Sequence, residues 1–204
     1  MEKIGFVFSG QGSQSVGMGK DLAENFEVCK NIFEKADAAL GYSISSICFE
    51  GPKEELDKTE NTQPAILTVS IAAFEALKSK GVRPYAVAGL SLGEYSALVA
   101  SGVIAFEDAV RFVKKRGFMM QNAVPAGKGK MAAVLGLDAE KLKAVCAEAS
   151  SKGIVECANF NCPGQIVIGG ETEAVDFACE KAKEAGAKKV VPLAVSVPSH
   201  TSVL

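Results

Sequence analysis

Residues 85–102 read Tyr85-Ala-Val-Ala-Gly-Leu-Ser-Leu-Gly-Glu-Tyr-Ser-Ala-Leu-Val-Ala-Ser-Gly102, and this stretch decides the fold. Tyr85 to Leu90 is a short apolar run of strand length. Leu92 to Ser101 has helical character, and Gly102 supplies the stop, so Ser91 lies on a strand-to-helix turn. A strand that feeds a helix through so tight a turn is the building element of an α/β fold. Within it, Gly89-Leu90-Ser91-Leu92-Gly93 has the G-x-S-x-G form. Small glycines let the backbone turn sharply and lift the Ser91 hydroxyl above the sheet edge. The following helix aims its free N–H groups at the same point, where an oxyanion would form.

Outward from this element the pattern stays α/β. Ile4 to Phe8 reads as a buried strand that leaves its sheet through Ser9-Gly10-Gln11-Gly12. Helical spacing covers Phe26 to Leu40, with Gly41 as stop, and Pro64 to Lys80, with Gly81 at its end. A further helix runs from about Phe106 to Asn122. The stretch 124–130, Val-Pro-Ala-Gly-Lys-Gly-Lys, is the boundary candidate. Beyond it the order is strand (131–137), helix (138–151), strand (154–160), a Pro163-Gly164 turn, strand (165–169), helix (171–185) and strand (188–195), the β-α-β-β-α-β unit of a ferredoxin-like subdomain. The expected division is a large α/β subdomain over 1–125, resumed at 196–204, and a small ferredoxin-like one over 126–195.

Composition removes several functional classes. With 48% hydrophobic residues in 204, the chain can bury a core, which argues against disorder. Its 22 basic and 24 acidic side chains leave a formal charge of −2, too balanced for a protein that neutralises a phosphate backbone, so no nucleic-acid partner is expected. The N-terminal apolar run is too short and too soon broken for a signal peptide, and no run is long enough to span a bilayer. No membrane partner and a cytoplasmic location are therefore the expectation. The six cysteines lack C-x-x-C spacing and read as reduced, buried thiols. With one histidine in the chain, no metal site is expected.

A serine hydroxyl needs a base to take its proton, and imidazole is the usual one near neutral pH. His200, in Val197-Pro-Ser-His200, is the single candidate, against the bland alternative of an ordinary core or surface histidine. Ser9-Gly10-Gln11-Gly12-Ser13-Gln14 superficially follows the dinucleotide pattern G-x-G-x-x-G, but Ser15 stands where the third glycine belongs. It reads better as a loop that brings a backbone N–H close to the nucleophile. Arg116 sits at the edge of an apolar helix face in an i, i+4 line with Phe112 and Met120. An inward guanidinium needs an anion, either an internal carboxylate or a substrate carboxylate held bidentately.

Together, Gly10-Gln-Gly-Ser-Gln14, Gly89-Leu-Ser-Leu-Gly-Glu-Tyr-Ser-Ala97, Arg116 and Val197-Pro-Ser-His200 resemble the malonyl-CoA:acyl carrier protein transacylases of bacterial fatty-acid synthesis. Asn61-Thr-Gln-Pro-Ala65 and Asn159-Phe-Asn-Cys-Pro-Gly-Gln165 extend the resemblance over the whole chain. It implies an α/β-hydrolase-like large subdomain with an inserted ferredoxin-like one. It also implies Ser91 as the acylated nucleophile, His200 as its base, N–H groups of Gln11 and Leu92 as oxyanion hole, and Arg116 as the ligand of the malonyl carboxylate. Met120 and Gln63 would line the cleft. The implied activity is malonyl transfer from malonyl-CoA to the phosphopantetheine thiol of acyl carrier protein by a monomer, with no bound cofactor. Lys114, Lys115, Lys188 and Lys189 would dock the acidic carrier, or simply form a solvated face. The alternatives are a serine thioesterase or other hydrolase, and a catalytically incomplete carrier-binding fragment. Two residues depart from the family pattern: Leu90 stands where many relatives have histidine, and Ser9 where they have proline. Relatives continue well past the histidine motif, so the chain reads as truncated at its C-terminus.

Overall fold

The structure, a computed structural model, describes residues 3–125, 127–193 and 197–204. Its elements in order are β1 (Gly5–Phe8), α1 (Lys20–Asn25), α2 (Glu27–Leu40), α3 (Ile44–Glu50), α4 (Lys53–Leu56), α5 (Thr59–Ser79), β2 (Ala86–Gly89), α6 (Leu92–Ala100), α7 (Phe106–Ala123), β3 (Gly129–Leu135), α8 (Ala139–Ala149), β4 (Val155–Cys162), β5 (Gln165–Glu171), α9 (Thr172–Glu184) and β6 (Lys189–Pro192). The architecture is mixed α/β, as the sequence pattern requires. The chain divides into two compact units, Met1–Met119 and Met120–Leu204. The division falls inside α7, ahead of the glycine-containing stretch 124–130, because α7 continues unbroken to Ala123.

In the first unit β1 and β2 pair in parallel, Gly5 against Ala86 through Phe8 against Gly89. One face of this pair is sealed by Phe74 of α5, whose ring meets those of Phe6 and Phe8 edge-on at 6.0 and 6.5 Å, and by Ala97 of α6. The alternate position Val7 is 82% exposed, so β1 is not the strand buried on both faces that its apolar run predicts. Successive side chains point to opposite faces, and among the described residues only one face is covered. The main core lies among the helices: Cys29, Ile32, Phe33 and Ala36 of α2 pack with Ile66, Leu67 and Ile71 of α5 and Val110 and Val113 of α7.

Helix α5 starts at Thr59, five residues before the proline at which the sequence reading begins it. Proline removes one N–H and frees one carbonyl, but side chains support the preceding turn. Thr62 Oγ1 donates to the Leu56 carbonyl at 2.5 Å, and Asn61 Nδ2 donates to that of Glu55 at 3.0 Å. Residues 61–68 are consequently all buried, polar ones included.

The second unit is a four-stranded antiparallel sheet in the order β4-β5-β3-β6, the ferredoxin-like arrangement. Leu142, Val145, Cys146 and Ala149 of α8, and Ala174, Val175, Ala178 and Ala182 of α9, form apolar stripes at helical spacing against one face. Asp138 caps α8 by accepting from the N–H groups of Glu140 and Lys141 at 2.9 and 3.3 Å. Strand β6 ends at Pro192; positions 194 and 195 of the expected strand, position 196 and the expected boundary residue Ala126 lie outside the described residues. Residues 197–204, expected to rejoin the large subdomain, belong to this second unit. Ser202 binds the Glu156 carboxylate through its N–H and Oγ, at 2.9 and 2.6 Å.

All six cysteines are free, but burial holds for Cys29, Cys48, Cys146 and Cys179 alone. Cys157 is half-buried and Cys162 exposed, because burial along β4 falls from Val155 at its start to residues 160–162 at its end. Burial pushes the Cys48 thiol up to about 12. Among the described residues no helix is long and apolar enough to cross a membrane.

Candidate active site

The backbone of residues 89–93 explains its glycines. A Cβ on Gly89 would stand 2.0 Å from the Gly93 carbonyl, and one on Gly93 would stand 2.1 Å from the carbonyl oxygen of Phe8. The chain therefore folds back on itself and against the end of β1 with no room for a side chain. Ser91, between the two, takes φ 53° and ψ −105°. Such a backbone costs a non-glycine residue about 1–3 kcal/mol, and packing on both sides holds it there. Leu92 is buried and opens α6, so its N–H is among those without an intrahelical acceptor.

The loop after β1 reaches the same point. A Cβ on Gly10 would lie 2.8 Å from the Leu90 carbonyl oxygen and 4.0 Å from Ser91 Cβ. Gln11, next in sequence, donates from Nε2 to Thr59 Oγ1 at 3.2 Å. Gln14 accepts from the Gly12 N–H at 2.8 Å and donates to Asp57 Oδ1 at 2.9 Å, fastening the loop beside α4 and α5. Hydrogen bonds from Lys53, and then from Gln14, hold the Asp57 carboxyl below the usual carboxylate range.

Arg116 completes the cluster in this unit. A Cβ on its neighbour Gly117 would lie 2.5 Å from the Thr59 carbonyl oxygen, so α7 crosses the start of α5 at close range. From there Arg116 Nη1 donates to Gln63 Oε1 at 2.6 Å and Nη2 to Ser91 Oγ at 3.2 Å. Gln63 is fully buried. The guanidinium carbon sits 5.4 Å from the centre of the Tyr95 ring. The nearby carboxylate of Glu60 pairs with Lys114 at 3.0 Å, and among the described residues none pairs with Arg116. The structural ion pair that the sequence left open is thus absent there. A cation beside a hydroxyl favours its deprotonated form and leaves charge available to an incoming anion.

Met120 follows Arg116 by one turn of α7 and is half-buried. His200 belongs to the second unit, on the segment held to β4 by Ser202; it is exposed, with φ 62°. The two bonds from Ser202 hold the Glu156 carboxyl below its usual range. Of the four lysines considered for docking, Lys114 already meets Glu60, Asn61 and the Tyr42 ring, whereas Lys115 is exposed. Among the described residues no group of three or more His, Cys, Asp or Glu is placed to hold a metal ion. The sequence assigns no role to Thr59, nor to Tyr95 beyond its place in the Gly89–Ala97 motif; the signal for Tyr95 is its i+4 spacing from Ser91, which sets it over the same end of α6.

A family model described as an acyl transferase domain matches residues 5–203. The malonyl CoA-acyl carrier protein transacylase of Bacillus subtilis is 54% identical over the whole chain, which spans 65% of that relative's length. Its Escherichia coli counterpart is 50% identical, with 66% of its length spanned. An acyl carrier protein S-malonyltransferase from Vibrio cholerae superposes with a TM-score of 0.95 at 48% identity, over 99% of this chain and 66% of that one. A type II PKS acyl-carrier protein in complex with its malonyl-transacylase gives 0.96 at 49% identity, with the same coverage.

Proposed function

Because the chain belongs to the acyl transferase domain family, we propose that it carries the nucleophile and acyl-binding groups for malonyl transfer from coenzyme A to the phosphopantetheine thiol of an acyl carrier protein. The observation that carries this reading is the 3.2 Å contact between Ser91 Oγ and an Arg116 guanidinium that meets no carboxylate among the described residues. A nucleophile with a spare cation beside it suits an acyl group that bears its own negative charge.

In the proposed reaction His200 takes the Ser91 proton and the alkoxide attacks the thioester carbonyl of malonyl-CoA. The N–H groups of Gln11 and Leu92 receive the oxyanion, and the malonyl carboxylate lies on Arg116. Collapse expels the CoA thiolate, which takes from His200 the proton that came from Ser91, leaving malonyl-Ser91. The carrier's thiol then gives its proton to His200 and attacks this ester; the malonyl group leaves as the carrier thioester, and Ser91 Oγ takes the proton back from His200. Two displacements through one covalent intermediate give ping-pong kinetics. That the Vibrio protein is an acyl carrier protein S-malonyltransferase, and that the related transacylase forms a complex with its acyl-carrier protein, supports both the acyl group and the acceptor.

Labelled malonyl-CoA supplied with and without holo acyl carrier protein tests the reading. Label appearing on the carrier is the expected result. Rapid release of free malonate, with no labelled carrier, would make the chain a hydrolase.

A further inference from the structure

We propose that Tyr95 is a positioning residue which holds the Arg116 guanidinium in place and so sets the preference for an anionic acyl group, an inference that rests on the malonyl reading of the same site. Tyr95 stands one helical turn after Ser91 on α6, and Arg116 one turn after Phe112 on α7. The Tyr95 ring is braced by that of Phe112, with centroids 5.5 Å apart and planes inclined by 32°. Its face lies 5.4 Å from the guanidinium carbon, within the roughly 6 Å over which a ring quadrupole attracts a cation.

Arginine loses much side-chain freedom when it is fixed, and a carboxylate meets it bidentately only where the two planes coincide. Gln63 and Ser91 accept from Nη1 and Nη2, and both bonds act in the guanidinium plane. The Tyr95 ring holds the guanidinium carbon from outside this pair of bonds. When Ser91 becomes acylated, its Oγ turns into an ester oxygen and a poorer acceptor. The in-plane bond from Nη2 then weakens, which releases that N–H for the malonyl carboxylate. Contact with the ring does not depend on the state of Ser91, so it keeps the guanidinium oriented at the step where the anion must be held.

The test compares Tyr95→Leu and Tyr95→Phe with the unaltered protein, measuring acyl uptake on Ser91 from malonyl-CoA and from acetyl-CoA. For Tyr95→Leu the malonyl-to-acetyl preference should fall about three- to tenfold, the range expected for one cation–ring contact. The loss should appear in the half-saturating malonyl-CoA concentration more than in the limiting rate. Tyr95→Phe keeps the ring and should stay within about twofold of the unaltered protein. Equal losses for both acyl groups, or a phenylalanine variant as poor as the leucine one, would overturn the role. Should Tyr95→Leu fail to fold, Tyr95→Met takes its place. If the unaltered protein accepts neither acyl group, the malonyl reading fails and Tyr95 is judged from the Arg116 side-chain NMR resonances. Their ring-current displacement should persist in Tyr95→Phe and vanish in Tyr95→Leu; a displacement that survives in the leucine variant would refute the contact.

Discussion

Gly93→Ala changes one hydrogen into a methyl group where the Ser91 turn packs against the end of β1. In an open helix the exchange would gain about 1 kcal/mol of helix propensity. Here the new Cβ would lie 2.1 Å from the Phe8 carbonyl oxygen, 2.8 Å from its carbon and 2.9 Å from the Ser9 carbonyl oxygen. All three are backbone atoms at the end of β1 and cannot rotate aside as a side chain would. Relief requires α6 to move from β1 by about 1 Å, judged against the 3.0 Å that real Cβ contacts respect. Overpacking of this kind costs about 1–3 kcal/mol, so a net loss of about 1 kcal/mol, and up to about 2 kcal/mol, follows after the propensity gain is deducted. For a chain of this size that lowers Tm by about 2–4 °C for each kcal/mol lost. Misplacing a nucleophile by about 1 Å costs about 100-fold in rate, so Ser91 acylation should fall further than stability alone explains. Gly5→Ala is the control, since its Cβ would meet nothing nearer than the Ala86 carbonyl oxygen at 4.0 Å. Thermal unfolding and acylation rate are measured on both. A Gly93→Ala variant as stable and as reactive as Gly5→Ala would refute the argument.

Arg116→Ala should lower malonyl uptake by about 30- to 1000-fold, the 2–4 kcal/mol of a lost charged partner, with a much smaller loss for acetyl; equal losses would remove Arg116 from carboxylate recognition. Ser96 Oγ is buried without a hydrogen-bond partner among the described residues, so Ser96→Ala should raise stability by about 1 kcal/mol in denaturant unfolding, and a loss would show a partner. Glu156 has a folded-state pKa below its unfolded one, so its hold on Ser202 is fully present above the ordinary carboxyl range of about 4.3 and is lost as pH falls through the folded value. Hydrogen-exchange protection of the Ser202 N–H should fall along that limb, and Glu156→Ala, which removes the acceptor, should lose it already at neutral pH; a variant as protected as the unaltered chain would refute the anchor.

What could be read in advance was local. The turn at Ser91 is written in two glycines and the apolar runs beside them, and the β-α-β-β-α-β order in alternating periods of two and 3.6, so both were legible. The start of α5 was not, because its first turn depends on Asn61 and Thr62 reaching the carbonyls of Glu55 and Leu56, a packing arrangement that periodicity cannot carry. Val7 looked like core for the same reason: an apolar residue states a preference for burial, while the cover must come from other elements. At the site, Arg116 could be placed on the correct helix edge from its spacing. Its partners could not, since Gln63, Ser91 and Tyr95 come from α5, the nucleophile turn and α6, brought together by the glycine contacts at 93 and 117.

The most direct test of the central claim is peptide-resolved mass spectrometry of the protein after brief exposure to malonyl-CoA, with Ser91→Ala alongside. The account predicts one malonyl group, on Ser91, absent from the variant and discharged by holo acyl carrier protein. A malonyl group on another residue, or none on Ser91, would contradict it.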